Sequence, residues 1–226
     1  IKYDGTTGSS TNTISHGLSQ APTFLIVKGL TGTNAADDWF VYHKDIGATK
    51  RIRLNLTNAA DTQDWIGDTA PSSSVVTIDQ GWYSVNYTGH THIMYAWHDV
   101  PGMQKFGSYT ANGNVDGTFV ELSFRPAMLM IKCSNNGSNG HWIMIDAKRD
   151  TYNVAFNRVM ANEAWEENKA DWGPNTSNSV LDILSNGFKI RTTSTNGISN
   201  TNDTYIFAAW AEAPVSGLYG AQSNAR

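Results

Sequence analysis

The chain of 226 residues has one cysteine, few charged residues and no long apolar run. A single cysteine excludes a disulfide framework within the chain. We predict that this residue, Cys133 in the apolar stretch MLMIKC, is small, buried and unreactive. No apolar run approaches the roughly 18 residues of a membrane span, so we expect no membrane insertion. A formal charge of −4 without a basic cluster argues against nucleic-acid binding.

The residues that are abundant indicate strands and turns. Charged residues make up 16% of the chain, and Asn, Thr, Ser and Gly supply most of the remaining polarity. Exposed helices carry more Glu and Lys than this, whereas turns favour these small polar residues. Runs such as FLIVK are apolar and bounded by turn formers, and RIRLNL alternates strictly. The sequence predicts an all-β, jelly-roll-like β-sandwich fold with very little helix, and a short helix or irregular loop at 162–172.

The two halves of the chain carry the same landmarks in the same order. Residues 92–101 read HIMYAWHDVP and residues 205–214 read YIFAAWAEAP, and both segments stop at a proline, which cannot donate to a strand ladder. Matches that keep the same order, with a nearly constant spacing between the two halves, are the signature of a repeat. We therefore predict two tandem, internally duplicated modules, 1–103 and 104–226, the second with a C-terminal tail. The tryptophans that correspond are Trp39 with Trp142, Trp65 with Trp172, and Trp97 with Trp210.

The tryptophans separate by their surroundings. Four lie in apolar strands and are predicted to be core residues: Trp39, Trp97, Trp142 and Trp210. Others lie in polar segments, beside amides and carboxylates. Such a site suits a sugar, because the sugar ring can stack on the indole while its hydroxyl groups form hydrogen bonds with the neighbouring polar side chains. The candidate binding residues are Trp65, Trp165, Trp172, Glu166, Asp171 and Asn175. The same composition also suits rings that cap the sandwich or lie in a subunit interface, and this alternative stays open.

Signals for catalysis and for metal binding are weak. No nucleophile elbow, phosphate loop, cysteine pair or metalloprotease motif is present in the sequence. His90 and His92 share a strand face with His98, and a His-x-His pair can hold a metal ion in a symmetric oligomer. The alternative is that they are exposed histidines at the start of a strand. We expect no catalytic residue, no cofactor and no metal site, with His90 and His92 as the only metal candidates.

The stretch GSYTANGNVDGTFVELSFRPAMLMIK resembles a module of tail-fibre and adhesin-like proteins of tailed bacteriophages, especially those of marine bacteria. That family has a Gly-x-Tyr-Thr-x-Asn-Gly opening, a Phe-x-Pro entry to a strand that ends in Ile-Lys, and a Trp strand that ends in Asp. The matching residues here are Gly107, Tyr109, Thr110, Asn112, Gly113, Phe124, Pro126, Ile131, Lys132, Trp142 and Asp146. The segment 184–189 and the ending 211–214 also match. The first half is similar to the family's companion unit, and Ser123 stands where glycine is usual.

The resemblance implies a virion component of the distal tail fibre that contacts the host cell surface without catalysis. The implied partners are two further copies of the chain in a homotrimer, other tail proteins, and a host glycan or protein receptor. Two alternatives stay open: a purely structural fibre module, and a polysaccharide-degrading tailspike domain. The chain begins at Ile1 rather than at methionine, and we expect it to be a segment of a longer protein.

Overall fold

The fold is described from a computed structural model of the chain. It describes residues 1–6, 11–32, 38–79, 85–137, 140–167, 180–193 and 197–213. Across these ranges the fold is all-β, as predicted, and they contain no helix. None of these residues therefore forms a helix able to cross a membrane. Of the region predicted as a short helix or a loop, residues 162–167 are irregular and the remainder lies outside the described residues.

The chain divides into two compact units, Ile1–Asp99 and Val100–Arg226, which we call unit 1 and unit 2. The division falls a few residues before the boundary that the sequence predicts after residue 103. The strands of unit 1 are β1 (Lys2–Asp4), β2 (Asn12–Ser15), β3 (Phe24–Gly29), β4 (Phe40–His43), β5 (Lys50–Arg53), β6 (Asp61–Thr62), β7 (Val75–Ile78) and β8 (Thr91–Trp97). Those of unit 2 are β9 (Gln104–Thr110), β10 (Phe119–Glu121), β11 (Pro126–Cys133), β12 (Ile143–Asp146), β13 (Val159–Met160), β14 (Leu181–Leu184), β15 (Gly187–Ile190) and β16 (Thr204–Ala211).

Unit 1 is a sandwich of a large and a small antiparallel sheet. The large sheet has the order β1-β8-β3-β4-β5-β6, and β2 pairs with β7 in the small one. Leu25 and Val27 point from β3 into a shared core, where they meet Val76 and Ile78 of β7. Both faces of β3 are buried along most of its length, which explains its continuous apolar sequence.

Unit 2 has the same two-sheet architecture. The order of its large sheet is β9-β16-β11-β12-β13, and its small sheet runs β10-β15-β14. Leu129 and Ile131 of β11 share a core with Phe188 and Ile190 of β15. Cys133 is buried in the same core, which confirms the predicted burial of this residue. Burial raises the pKa of its thiol, so the sulfur stays protonated at neutral pH.

The register of the large sheets agrees between the units, residue for residue. Phe24 pairs with Trp97 across β3 and β8, and Met128 pairs with Trp210 across β11 and β16. At the other end of the same strand pairs, Gly29 lies opposite His92 and Cys133 lies opposite Tyr205. These are the partners that the sequence alignment of the two halves requires.

The edge strands β1 and β9 also pair in the same register in the two units. Tyr3 on β1 lies opposite His92, and their rings stack with centroids 5.2 Å apart. Tyr109 on β9 lies opposite Tyr205, and these rings also stack at 5.2 Å. The duplication stays a prediction, and the shared strand order and register favour it.

The predicted core tryptophans are not all buried. Trp142 is 1% exposed, as predicted, whereas Trp39, Trp97 and Trp210 are only partly buried. The reason is the side of the sheet they occupy. Leu25 faces the sandwich core, so its neighbour Phe24 faces outward, and the Trp97 ring lies beside Phe24 at 5.5 Å on that outer face. The prediction of a core position is therefore wrong for these three residues.

Candidate functional site

Trp65, the candidate sugar-binding residue of unit 1, is buried. Its side chain is 0% exposed, its indole N–H donates to the carbonyl of Lys50 at 3.2 Å, and its ring meets Phe40 edge-on at 5.6 Å. The neighbouring Ile66 is equally buried. Although the local sequence is polar, Trp65 fills the core of unit 1, so it cannot stack on a ligand from solvent and the prediction of a binding role for it is wrong.

The two candidate metal ligands also pack inside unit 1. His92 is 0% exposed and stacks on Tyr3, while His90 is partly buried with its ring against Tyr87 at 5.0 Å. The expectation of exposed histidines is therefore wrong for His92, because it belongs to the inward-facing set of β8 together with Met94. In the described part of the chain, no three residues among His, Cys, Asp and Glu are grouped to hold a metal ion.

Trp165 of unit 2 is the candidate ring that reaches solvent. It is 39% exposed, and the covered part of its indole lies against His141 with ring centroids 4.8 Å apart. His141 lies two residues before the start of β12, so the segment that leads into that strand supports the ring. The rest of the side chain is open to a ligand that approaches from solvent.

A hydrogen-bond network holds His141 in place. The Asn162 side-chain carbonyl accepts the Trp142 backbone N–H at 2.8 Å, and its amide nitrogen lies 3.0 Å from His141 Nδ1. Because the amide donates, Nδ1 acts as the acceptor in this arrangement. The Glu163 carboxylate accepts from the same Asn162 amide at 3.3 Å. The exposed ring of Trp165 is thus tied to the fully buried Trp142 through two polar side chains.

Carboxylates flank Trp165 in the sequence. Glu163 is partly exposed, Glu166 is exposed, and Glu167 pairs with Arg149 at 3.2 Å. Arg149 also pairs with Asp146 at the end of β12, which anchors this segment at a second point. The remaining candidates of the set, Asp171, Trp172 and Asn175, lie outside the described residues.

The loop between β12 and β13 presents an aromatic residue that the sequence reading missed. Tyr152 is 86% exposed, on a loop held by internal bonds. The Asp150 carboxylate accepts the backbone N–H groups of Phe156 and Asn157 at 2.8 and 2.7 Å. The amide of Asn153 pairs with the backbone of Ile183 in both directions, at 3.0 and 2.9 Å.

The signal for Tyr152 was present in the sequence. The stretch RDTYN sets an aromatic residue among polar neighbours, which is the criterion that singled out Trp165. Applied to tyrosine as well as to tryptophan, the criterion would have included Tyr152. Arg149 belongs to the same loop and contacts Glu167, so the loop and the Trp165 segment are joined.

Comparison with known proteins gives a family and no characterised relative. No curated protein matches the chain, and no solved structure matches it either. One family model, described as a domain of unknown function (DUF7483), matches residues 1–214. Since the match spans both units through the strand β16, the chain belongs to the DUF7483 family.

Proposed function

We propose that the chain is a non-catalytic, receptor-binding module at the distal end of a bacteriophage tail fibre, which attaches to glycans on the host cell surface. The observation that carries this proposal is the Trp165 side chain, which is 39% exposed and whose ring contacts His141. The sequence resemblance to phage tail-fibre modules supports the assignment to a tail fibre. An exposed ring on a rigid β scaffold suits recognition, because loops can vary while the sheets keep them in place.

The chemistry around Trp165 fits a sugar. The C–H face of a pyranose packs on an indole, and the hydroxyl groups at its rim need acceptors and donors. Glu163 and Glu166 lie close to Trp165 in the chain and provide carboxylate acceptors, and Glu163 lies near His141, the residue that contacts the ring. Tyr152 on the adjoining loop offers a second ring. A site of this kind binds weakly, at about 1 kcal/mol for each stacked ring.

Weak sites become useful when they are linked. In a homotrimeric fibre, three copies of the site face one cell surface, and each contact after the first becomes intramolecular. Avidity of this kind needs no deep pocket and no single tight site. It also suits a flexible, repetitive ligand such as a surface polysaccharide.

The test uses the double variant Trp165→Ala, Trp172→Ala, with assembly and host adsorption measured together. Unchanged assembly with lost adsorption is the expected result. A broken trimer would place these rings in a subunit interface instead. If both assembly and adsorption survive, the region does not bind the host and the proposal fails. Tyr95→Ala is the matched control, because Tyr95 is an aromatic residue of unit 1 with a similar exposed fraction of 43%.

A further inference from the structure

The turn that leads to Trp165 has a counterpart in unit 1. In unit 2 this turn follows β13, and in unit 1 the corresponding turn follows β5. The backbone N–H of Ala161 donates to the Trp142 carbonyl at 3.0 Å, and the backbone N–H of Leu54 donates to the Trp39 carbonyl at 2.9 Å. Each turn is therefore joined by the same backbone hydrogen bond to the tryptophan that precedes the next strand of its sheet.

Both turns also present an asparagine to the residue before that tryptophan. In unit 1 the Asn55 amide donates to the Asp38 carboxylate at 2.9 Å. In unit 2 the Asn162 amide nitrogen lies 3.0 Å from His141 Nδ1. Each asparagine accepts the backbone N–H of the tryptophan through its side-chain carbonyl. The hydrogen bonds that shape the two turns are thus the same, although one partner is a carboxylate and the other an imidazole.

The two turns differ in the side chains that they present to solvent. The residue three places after the asparagine is Trp165 in unit 2 and Asn58 in unit 1, and both are exposed. The residue that the asparagine holds is His141 in unit 2 and Asp38 in unit 1. At these two positions, which the structure describes in both units, only unit 2 has aromatic rings. Because unit 1 makes the same turn bonds with an aspartate, the turn does not require the ring of His141.

We propose that His141 is a positioning residue of the glycan site and that this site belongs to unit 2 alone. The inference rests on the proposed function. The Asn162 amide holds His141, and the ring of His141 contacts the Trp165 indole with centroids 4.8 Å apart. An exposed indole that is restricted in this way loses less conformational entropy when a sugar stacks on it. The corresponding turn of unit 1 offers neither the indole nor a ring beside it.

Two substitutions separate the ring of His141 from its hydrogen bond. His141→Asn supplies an oxygen for the Asn162 amide, as Asp38 does for Asn55, and it removes the ring without adding a charge. His141→Phe keeps a ring beside Trp165 and removes the hydrogen bond to Asn162. A purely structural role of His141 would favour the first variant, whereas a role in positioning the indole favours the second.

The experiment measures binding of the full chain to polysaccharide extracted from the host cell surface, with urea unfolding of the same samples. His141→Asn should weaken binding about as much as Trp165→Ala does, by about fivefold, while its unfolding midpoint stays close to that of the wild type. His141→Phe should bind more tightly than His141→Asn. Asn58→Ala is the matched control on the turn of unit 1, and it should leave binding unchanged.

The outcomes separate this inference from the proposed function. If Trp165→Ala weakens binding but His141→Asn binds like the wild type, or binds as well as His141→Phe, the positioning role of His141 is wrong and the proposed function stands. If Trp165→Ala also binds like the wild type, the proposed function fails together with the inference. Weaker binding by Asn58→Ala would place a binding site on unit 1 as well and would contradict a site on unit 2 alone.

Discussion

At the scale of single residues, the tryptophans show that burial depends on tertiary position more than on sequence neighbours. Trp142 and Trp65 are both fully buried, although the first lies beside the apolar strand β12 and the second in the polar stretch DTQDWIGDTA. Trp65 is held by the Lys50 carbonyl and the Phe40 ring, and neither contact follows from its own segment. Local polarity therefore predicted exposure wrongly at this position.

Truncation of a buried tryptophan should lower the stability of the fold far more than truncation of an exposed one. Trp142→Ala and Trp65→Ala each remove a buried ring and leave a cavity, which should cost roughly 3–5 kcal/mol of unfolding free energy. Trp165→Ala removes an exposed ring and should change stability by less than about 0.5 kcal/mol. Urea unfolding of the three variants measures these changes in unfolding free energy. A loss below 1 kcal/mol for Trp142→Ala would contradict its core assignment.

Alkaline pH should destabilise the fold through its buried tyrosines. Burial raises the pKa of Tyr3, Tyr109 and Tyr205 above the ordinary value. The folded state therefore keeps protons that the unfolded chain releases, so stability is full below about pH 10 and falls as the pH rises beyond it. In urea unfolding at pH 9 and pH 11, Tyr109→Phe should lose less stability across this interval than the wild type. Identical losses would argue against titration of this hydroxyl.

At the scale of elements, an asparagine completes the start of a central strand in each unit. Asn55 accepts the backbone N–H of Trp39 at 3.0 Å, and Asn162 accepts that of Trp142 at 2.8 Å. The strands concerned, β4 and β12, hold equivalent places in the two large sheets. The sequence alignment of the halves did not include these asparagines, since a single Asn in an Asn-rich chain carries no signal of its own.

Loss of either asparagine should therefore have a similar cost. Asn55→Ala and Asn162→Ala each leave a strand N–H without its side-chain acceptor, which should reduce stability by about 1–2 kcal/mol. Asn162→Ala should also weaken host adsorption, because it releases the His141 support of Trp165. Asn55→Ala is the matched control, with the stability loss and without the adsorption loss. Equal host adsorption by Asn55→Ala and Asn162→Ala would argue against a role of Trp165 in binding.

The strands themselves were largely predictable. Alternating and continuous apolar runs gave an all-β fold because a sheet buries its residues with a period of two. The loops were less predictable, because their shape depends on contacts far along the chain. The loop of Tyr152 is an example: Asn153 fixes it by bonding to Ile183, thirty residues away.

At the scale of the whole molecule, the two units have similar large sheets, but they differ in which aromatic residues and histidines are exposed and which are buried. Unit 2 carries the exposed Trp165 and Tyr152, and unit 1 buries Trp65 and three histidines. The proposed glycan site therefore rests on aromatic residues of unit 2 alone. Family membership alone gives neither role, since the family is described only as a domain of unknown function.

The most direct measurement of the central claim is binding of the purified chain to polysaccharide from the host cell surface, with release of reducing ends followed in the same samples. The account predicts saturable binding that Trp165→Ala weakens about fivefold per site, the equivalent of about 1 kcal/mol, with no reducing ends released. Release of reducing ends would indicate a tailspike-like enzyme. Absence of binding, or binding that Trp165→Ala leaves unchanged, would contradict a glycan-receptor site on unit 2.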